Sequence, residues 1–585
     1  MKSILKHVRK KEWILLSLIC VLALVQVWMD IAIPDRMNRI TTMLKTPGST
    51  VADVTSSGAG MFGMAILSLL SSIVTVYLSA VVGAAVAMRV RGAIFDKTLD
   101  FSMEEMNRFK ASSLITRCTN DVTKVQQAFS AGMVLMLKAP LTAIWAFTKI
   151  YGKNAVWTVT VGIIFAVVMI FIVFVAQVVR PKIYAAQGLV DQVNRTSREH
   201  LSGIRVIHAF NAFDYQARRF ENVNENLRKT SVGVDRKMGL FSPFMTSMLS
   251  LLNILIYMTG ASVIFKAGEG DKITLFSDMV TFSSYAVLVM SAFVQLLVIY
   301  IALVKSMASV DRISEVLTAD ISIKDGSDET SDTGEGTIVF ENVDFAYPGS
   351  GDYALTNINI SIEKGQTVAF IGATGSGKTS ILNLIPRFYD TTNGRILVDG
   401  KDVRDYRLRD LRNKIGYIPQ KSFLFSGTIA DNIAYGDNGR FQATLTEIKK
   451  ASEVGQAREF IEKKEGGYNA KVAEGGKNFS GGQRQRLTIS RAICRDPEIY
   501  LFDDSFSALD FKTDRMLRDR LKEVAKNSTV IIVAQRIGTI SGADCIYVVD
   551  KGRIAGFGKH DELLKTCPIY KEIVASQAME GGNAS

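Results

Sequence analysis

Two adjacent carboxylates, Asp503 and Asp504, end a short apolar run that begins at Tyr500. Apolar runs of this length, bounded by polar residues, are typical of a buried parallel strand. The carboxyl ends of such strands are where α/β sheets place their ligands. We therefore expect Asp503 to hold a hydrated metal ion and Asp504 to orient or deprotonate a water molecule.

A glycine-rich segment with the pattern GxxxxGKT lies upstream of these carboxylates, between a strand-like run and a helical pattern. Glycines let backbone N–H groups close around phosphate oxygens at a helix N-terminus. Lys378 supplies positive charge to the β- and γ-phosphates, and Thr379 offers a hydroxyl to magnesium. An accidental glycine turn is the alternative, but here the strand and the helix lie on the correct sides. The residues predicted to bind the nucleotide here are Gly372, Ala373, Thr374, Gly375, Ser376, Gly377, Lys378, Thr379 and Ser380.

A second glycine turn, FSGGQ, opens another helix and also suits anion binding at its N-terminus. It contains Ser480, Gly481, Gly482 and Gln483. A lone aromatic upstream, Tyr347, could stack on a purine ring, although an isolated aromatic is more often part of a core.

The elements that position these motifs occupy only the second half of the chain. With 585 residues the chain is too long for a single core. The first half contains repeated apolar stretches, and the remainder has the mixed texture of a soluble α/β domain. The net charge of +12 is compatible with nucleic-acid binding, but basic residues beside apolar spans favour membrane topology. The scattered cysteines indicate neither a zinc site nor a disulfide framework.

Six apolar stretches are long enough to cross a bilayer. They are residues 14–33, 61–88, 130–151, 155–179, 240–265 and 275–304. A signal peptide would have a shorter apolar core and a small-residue cleavage site, so the first stretch is predicted to be a retained helix. The two long intervening segments, residues 89–129 and 180–239, are rich in Lys and Arg and should lie in the cytoplasm with both termini.

The predicted fold is an all-α six-helix transmembrane domain with long cytoplasmic helix extensions, followed by an α/β P-loop domain. An acidic stretch rich in Ser, Thr and Gly marks the boundary. The predicted domains are residues 1–317, a linker at 318–336, and residues 337–585.

Four polar side chains lie inside the predicted spans: Lys138, Asn253, Asp278 and Gln295. Polar groups are costly in lipid and by default face a cavity or another helix. Two alternatives stay open, because Lys138 could lie on a cytoplasmic helix extension and Asp278 near the outer surface.

Together the two glycine turns and the Asp503 strand resemble the ATP-binding cassette (ABC) family, as its Walker A, signature and Walker B motifs. Gln420 matches the family's Q-loop, Tyr347 its A-loop aromatic, and residues 507–510 its D-loop, which ends at Asp510. The resemblance implies ATP and Mg²⁺ as ligands, with Thr379 and Gln420 on the metal and Asp503 reaching it through water. It also implies that Tyr347 and Asp510 contribute to nucleotide binding.

The loop segments at residues 113–121 and 201–210 look like those of bacterial exporter half-transporters. In that family two chains dimerise, and each ATP lies between Walker A of one chain and the signature of the other. Ser480, Gly481, Gly482 and Gln483 would then face the ATP bound to the partner. Coupling helices that transmit closure are expected near residues 101–108 and 212–219.

Two residues depart from the family pattern. Asp504 stands where the family has glutamate, and Gln535 stands where it has the switch histidine. Aspartate withdraws its carboxylate by about 1.5 Å, one C–C bond, and misplacement of that size can cost about a hundredfold in rate. Gln535 can donate a hydrogen bond to the γ-phosphate but cannot titrate as histidine can. Each change could instead be a harmless variant, but two at one site favour an impaired one, with Asp504 as a weak base.

A poor catalytic site beside an intact signature predicts one subunit of a heterodimer with a second, different half-transporter. The predicted function is ATP-driven export of drugs or other hydrophobic or amphipathic small molecules across a bacterial cytoplasmic membrane, with the ATP-binding domain on the cytoplasmic side. Export of lipid or peptide is the alternative, as is a regulatory ATP-binding membrane protein that does not transport. The lipid bilayer is an expected partner, whereas a nucleic-acid ATPase fits the cassette but not the six spans.

Overall fold

The chain divides into two compact units in the computed structural model, which describes residues 2–43, 50–151, 155–268, 271–326, 336–436 and 443–582. The first unit comprises Met1–Leu99 and Ala111–Ala319, and the second comprises Asp100–Lys110 and Asp320–Ser585. A short stretch that the sequence boundaries place in the first domain therefore belongs to the second unit. Residues 327–335 of the predicted linker lie outside the described residues.

The first unit is helical, and among its described residues six helical runs are long and apolar enough to cross a membrane. This confirms the predicted all-α membrane domain with long helical extensions. The helices are α1 (Lys2–Leu5), α2 (Lys10–Met43), α3 (Val51–Leu99), α4 (Met103–Phe109, part of the second unit), α5 (Ala111–Thr116), α6 (Val122–Gln127), α7 (Met133–Ile150), α8 (Ala155–Ser202), α9 (Ile204–Ala209), α10 (Phe213–Gly239), α11 (Phe241–Lys266) and α12 (Lys272–Leu317).

The helices extend well beyond the apolar stretches. α3 runs for 49 residues and α8 for 48, and α8 continues through Pro181 into its polar half. Two π-helical turns, Arg117–Asp121 and Ala128–Gly132, join α5, α6 and α7 into one run. Such turns insert an extra residue into the helix and re-aim neighbouring side chains.

The core of the first unit includes Trp157, Phe282 and Tyr285, all fully buried. Gly260 on α11 lies close to this cluster, and a Cβ at that position would collide with the side chain of Met279 on α12. Glycine at this position therefore leaves room for the side chain of Met279 between α11 and α12.

The polar side chains of the predicted spans contact neighbouring helices. Lys138 on α7 forms an ion pair with Asp30 on α2 at 3.0 Å, and Ser68 on α3 donates to the same carboxylate at 2.6 Å. Asn253 accepts from Ser283. Pairing of this kind satisfies groups that lipid cannot solvate. Likewise, Asp278 accepts from Asn38 at 3.0 Å, and Gln295 is half-buried.

The second unit contains a six-stranded sheet of order β12-β11-β3-β10-β9-β6, parallel except for the edge strand β12. A four-stranded antiparallel sheet has the order β2-β1-β4-β5, and β7 pairs with β8. The strands are β1 (Ile338–Phe345), β2 (Leu355–Ile362), β3 (Thr367–Ile371), β4 (Asn393–Val398), β5 (Lys401–Asp402), β6 (Ile415–Ile418), β7 (Gly427–Thr428), β8 (Lys471–Val472), β9 (Ile499–Asp503), β10 (Thr529–Val533), β11 (Cys545–Asp550) and β12 (Arg553–Gly558). The predicted α/β fold is confirmed.

The second unit also contains helices. They are α13 (Lys378–Leu384), α14 (Leu408–Asn413), α15 (Ile429–Ile433), α16 (Leu445–Val454), α17 (Arg458–Glu462), α18 (Gly481–Cys494), α19 (Phe511–Val524), α20 (Ile537–Ile540), α21 (His560–Thr566) and α22 (Pro568–Gly582). All five residues of β9 and of β10 are buried, as expected of central parallel strands with helices on both faces.

Candidate functional site

The GxxxxGKT segment lies between β3 and α13, as the sequence predicts. Gly375 and Gly377 have φ of 83° and 107°, a left-handed backbone that favours glycine. A Cβ at Gly377 would also press on Leu355 of β2, so a side chain has neither the conformation nor the space. The loop residues Ala373, Thr374 and Gly375 are exposed. These constraints leave an accessible turn of backbone amides that opens a helix.

The side chain of Lys378 is enclosed by this loop. Its Nζ donates to the carbonyl oxygens of Gly372 at 2.9 Å and Ala373 at 2.8 Å. Burial lowers the pKa of Lys378, and the nearby carboxylates of Asp504 and Asp503 oppose that shift. The loop and the two aspartates therefore hold a cation at the N-terminus of α13, where the sequence places the phosphate groups.

Thr379 and Asp503 meet at the carboxyl end of β9. Thr379 Oγ1 donates to Asp503 Oδ1 at 2.9 Å, and Asp503 is 4% exposed. Burial raises the pKa of Asp503, and the hydrogen bond from Thr379 works in the opposite direction. A hydroxyl and a carboxylate oxygen side by side are the ligands that Mg²⁺ prefers, so these residues fit the ion. In the described part of the chain, His, Cys, Asp and Glu do not form a metal site by themselves.

Asp504 lies between two glutamine side chains. Its Oδ2 accepts from Gln535 Nε2 at 3.0 Å and from Gln420 Nε2 at 3.3 Å. Burial raises the pKa of Asp504, although both amide hydrogen bonds and the charge of Lys378 lower it. Asp504 has φ of 46°, and its backbone N–H donates to the carbonyl of Val533 at 2.9 Å. The three side chains come from the ends of the neighbouring strands β6, β9 and β10, where the sequence places them.

Tyr347 contacts α13, the helix that follows the glycine loop. Its hydroxyl lies 2.8 Å from Ser380 Oγ, and its ring packs edge-on against Tyr389 with 5.3 Å between centroids. Tyr347 is half-buried, so part of its ring remains accessible beside α13. Tyr389 is a residue beside this site that the sequence does not predict.

The second glycine turn forms the N-terminus of α18. Ser480 and Gln483 make a reciprocal capping box: Ser480 Oγ accepts from the Gln483 N–H, and Gln483 Oε1 accepts from the Ser480 N–H. Ser480 and Gly481 are exposed, and Gly482 lies near the carbonyl of Ala508. Within the described residues, the capping hydrogen bonds of this turn are local, and the helix terminus is accessible.

Asp510 caps α19. Its carboxylate accepts from the backbone N–H of Thr513 at 2.9 Å and from the Thr513 hydroxyl at 2.8 Å. The backbone hydrogen bond holds the pKa of Asp510 below its usual value. The structure thus shows a helix-capping role for Asp510, and the nucleotide-binding role stays a prediction.

The first predicted coupling segment forms a short helix, α4, within the second unit. Glu105 on this helix is 4% exposed and accepts from the backbone N–H of Ser322 at 3.0 Å. Asn107 Nδ2 donates to the hydroxyl of Tyr389 at 3.2 Å. α4 therefore contacts both the segment that follows α12 and the aromatic pair beside the glycine loop.

The second coupling segment differs from the prediction. Residues 212–219 are not a separate short helix; they form the start of α10, which continues to Gly239. The separate short helix is α9, which ends just before Asn211, a residue with φ of 52°. Left-handed backbone at Asn211 ends one helix, and no residue after Phe213 interrupts the next.

A cavity of about 820 Å³ lies elsewhere in the second unit, between α15, α16 and α18. Glu447, Arg491 and Cys494 help to line it. None of the predicted site residues lines this cavity.

Comparison with known proteins agrees with both units. A sequence model described as ABC transporter transmembrane region matches residues 16–293, and one described as ABC transporter matches residues 355–507. An uncharacterised ABC transporter ATP-binding protein of Mycobacterium tuberculosis is 34% identical over 97% of this chain and 96% of its own length. An ATP-dependent lipid A-core flippase of Haemophilus influenzae is 30% identical over 88% of this chain and 86% of its own length.

The fold also matches a solved structure described as a bacterial Atm1-family ABC exporter with ATP bound. The TM-score is 0.83, at 22% sequence identity, over 97% of this chain and 98% of that one. At this identity the match concerns the fold: a helical membrane domain followed by a nucleotide-binding domain.

Proposed function

Because this chain belongs to the ABC transporter family and has the exporter fold, we propose that it is one subunit of a heterodimeric exporter. It moves drugs or other amphipathic compounds out across a bacterial cytoplasmic membrane. Both termini and the nucleotide-binding domain lie in the cytoplasm, and the membrane domain ends near residue 317, before a linker at residues 318–336. The partner is a second, different half-transporter.

ATP binds this chain at the glycine loop. The backbone amides of residues 373–377 and the ammonium of Lys378 contact the phosphates, and Tyr347 stacks on the adenine. Thr379 and Gln420 ligate magnesium, while Asp503 reaches it through water. When bound, the ion neutralises phosphate charge as ATP is cleaved. Lys378 already lies 2.8–2.9 Å from two loop carbonyls, so the cation is fixed in place within the loop.

The pairing of Gln535 with Asp504 carries the proposal of a slow site. Gln535 Nε2 already donates to Asp504 Oδ2 at 3.0 Å, and Gln420 adds a second amide donor to the same carboxylate oxygen. The two amide hydrogen bonds oppose the burial that raises the pKa of Asp504, and they occupy the carboxylate oxygen that would otherwise accept from water. Gln535 cannot carry a positive charge toward the γ-phosphate. Binding is thus retained while hydrolysis is slow.

The intact signature turn points to a partner with a working site. Ser480 and Gly481 are exposed at the N-terminus of α18, where amides and helix dipole favour an anion. In the proposed dimer, Ser480, Gly481, Gly482 and Gln483 contact the ATP bound to the partner. The partner supplies the catalytic glutamate and the switch histidine, and its own signature is altered. ATP binding joins the two nucleotide-binding domains, and hydrolysis at the partner's site resets the cycle.

Lipid export is the second candidate for the substrate. The flippase of Haemophilus influenzae carries lipid A-core in its name, and it is 30% identical to this chain. Lipids and many drugs share an apolar body and a polar head, so a membrane cavity of one type suits both. The ion pair of Asp30 with Lys138 places charge within the predicted spans, where a polar head could bind.

Transport in inverted membrane vesicles tests this proposal. The chain is co-produced with a candidate partner half-transporter that carries the catalytic glutamate and the switch histidine, and ATP-dependent accumulation of a fluorescent amphipathic dye is followed, with fluorescent lipid as the second probe. We expect accumulation with both chains, loss of it when the partner's catalytic glutamate is replaced, and little accumulation with this chain alone. Equal accumulation by this chain alone would contradict the heterodimer, and ATP binding without any transport would favour a regulatory role.

A further inference from the structure

The last helix, α22, turns one face toward the core of the second unit. Tyr570 is fully buried, and Ile573 and Val574 pack against the same core cluster, as does Ile537 of α20. Residues 570, 573, 574 and 577 form one stripe at helical spacing. The fourth position of the stripe is Gln577, a half-buried polar residue where the pattern calls for an apolar one.

The side-chain amide of Gln577 bonds to the backbone of the segment that carries Gln535. Gln577 Oε1 accepts from the N–H of Ile537 at 2.9 Å, and Gln577 Nε2 donates to the carbonyl oxygen of Gln535. The segment thus receives two hydrogen bonds from a single distant side chain. The first turn of α22 is also anchored, because the hydroxyl of Tyr570 lies 2.7 Å from His560 Nδ1.

The segment at residues 535–537 has no helix cap of its own. The N–H of Ile537 is the first of α20, and the first N–H groups of a helix have no partner within it. Arg536 precedes α20 but makes no side-chain cap hydrogen bond. Gln577 therefore supplies the missing cap from another helix. On the other side of the segment, Gln535 Nε2 reaches Asp504 Oδ2 at 3.0 Å.

We propose that Gln577 is a positioning residue for the ATP site: it holds the backbone of residues 535–537 so that the side chain at position 535 meets position 504. Gln577 acts through the backbone and touches neither the nucleotide nor Asp504. The inference rests on the proposed ATP hydrolysis at this site but not on the heterodimer. A passive role, in which Gln577 only helps α22 to dock, predicts loss of stability without a specific loss of turnover.

Two variants separate these roles. Gln577→Leu continues the apolar stripe and keeps α22 docked, but it removes both hydrogen bonds to residues 535 and 537. Ser576→Ala is the matched control, because Ser576 is exposed and its hydroxyl donates to Ile573 within the same helix. Both changes are made in the full-length chain in lipid nanodiscs.

Hydrogen exchange gives a readout that does not depend on activity. We expect amide exchange in peptides that cover residues 535–540 to become about fivefold faster in Gln577→Leu, since one net hydrogen bond is worth roughly that factor. Exchange in Ser576→Ala should equal that of the unmodified chain. Unchanged exchange in Gln577→Leu would overturn the proposal.

ATP hydrolysis is then compared in the Asp504→Glu, Gln535→His background, where the site is expected to be fast. The hydrogen bonds of Gln577 reach backbone atoms, so this background retains them. We expect Gln577→Leu to lower kcat about fivefold, with little change in KM for ATP or in ATP binding. Faster exchange with unchanged kcat would overturn the positioning role.

The Asp504→Glu, Gln535→His variant also shows whether a negative result concerns Gln577 or the proposed function. If Asp504→Glu, Gln535→His is no faster than the unmodified chain, the slow-site proposal fails. Gln577 is then judged in the unmodified chain by the same pair of measurements: faster exchange with lower kcat supports the positioning role, and either result without the other contradicts it.

Discussion

Gln535 donates to Asp504 at 3.0 Å, and this bond joins the two residues at which the chain departs from the family pattern. Neither departure is isolated, because the amide of one satisfies the carboxylate of the other. Gln420 completes the arrangement with a second donor at 3.3 Å. Glutamine at position 535 therefore provides a hydrogen-bond donor for aspartate at position 504.

The ring of Tyr347 should contribute to ATP affinity, and its hydroxyl should not. Replacing Tyr347 with Leu removes the aromatic face, so we expect ATP affinity to fall about two- to tenfold, since aromatic contacts contribute about 0.5–1.5 kcal/mol. Tyr347→Phe keeps the ring and loses only the hydrogen bond to Ser380. Equilibrium binding of a fluorescent ATP analogue measures both variants. Equal affinity in the Leu variant and the unmodified chain would show that the adenine lies elsewhere.

Glu105 should couple ATP hydrolysis to transport. Burial raises its pKa, but hydrogen bonds from Ser102 and Ser322 outweigh this effect and hold the pKa of Glu105 below its usual value. The backbone N–H groups of Ser102 and Ser322 each donate to one carboxylate oxygen of Glu105. Glu105→Gln replaces one of these oxygens with an NH2 group, so one of the two N–H donors loses its acceptor. We expect ATP binding to be unchanged and substrate-stimulated ATPase to fall at least about threefold, since an unmet buried donor costs about 1–3 kcal/mol.

Glu104→Gln is the matched control for Glu105, because it makes the same chemical change one position earlier on α4. Stimulated and basal ATPase are measured in both variants with the partner present. If Glu104→Gln reduces stimulation as much as Glu105→Gln, the contact with Ser322 is not the cause.

Asp30 and Lys138 should depend on each other for stability. Either Asp30→Asn or Lys138→Gln leaves the other charge without its partner inside a predicted span, at a cost of about 3 kcal/mol. The double variant removes both charges, so we expect it to be more stable than either single variant. Thermal unfolding in detergent provides the double-mutant cycle. Additive losses would mean that the 3.0 Å ion pair contributes nothing.

The nucleotide-free domain should lose stability as pH rises from about 4 toward neutral, because burial disfavours the ionised form of Asp504. The pKa of Asp504 is raised above its ordinary value of 3.8, chiefly by burial. A carboxyl group with a raised folded-state pKa contributes stability that is fully present below about pH 4 and is lost as pH rises through the folded-state pKa. Asp504→Asn does not titrate.

Calorimetry measures this effect without nucleotide. We expect the unfolding midpoint of Asp504→Asn to exceed that of the unmodified chain at pH 7, and the difference to shrink as pH falls toward 4. A difference that does not vary with pH would assign the effect to hydrogen bonding rather than to charge.

The sequence predicts the parts of this molecule that depend on local pattern. Apolar length fixes the six spans, and glycine spacing fixes the loop around Lys378, where φ at Gly377 excludes a side chain. The apolar run before Asp503 places that carboxylate at the end of a buried strand. These features follow from chemistry within a few residues of each motif.

Long-range packing sets the rest. Glu105 and Ser322 are 217 residues apart in sequence, and Gln577 is 40 residues from Ile537, so no local pattern joins them. One signal was available for Gln577, a polar residue on the apolar stripe of α22. The second coupling segment was placed wrongly, because the left-handed backbone at Asn211 ends α9 without a proline or glycine to mark it.

Single-turnover ATP hydrolysis by the purified chain tests the slow site most directly. The chain is loaded with radiolabelled ATP in lipid nanodiscs, magnesium is added, and release of phosphate is followed beside the Asp504→Glu, Gln535→His double variant. Lys378→Ala gives the background. We expect the double variant to hydrolyse about ten- to a hundredfold faster, with similar ATP affinity. Equal rates in the two proteins would show that Asp504 and Gln535 do not limit hydrolysis, and the account of an impaired site would be wrong.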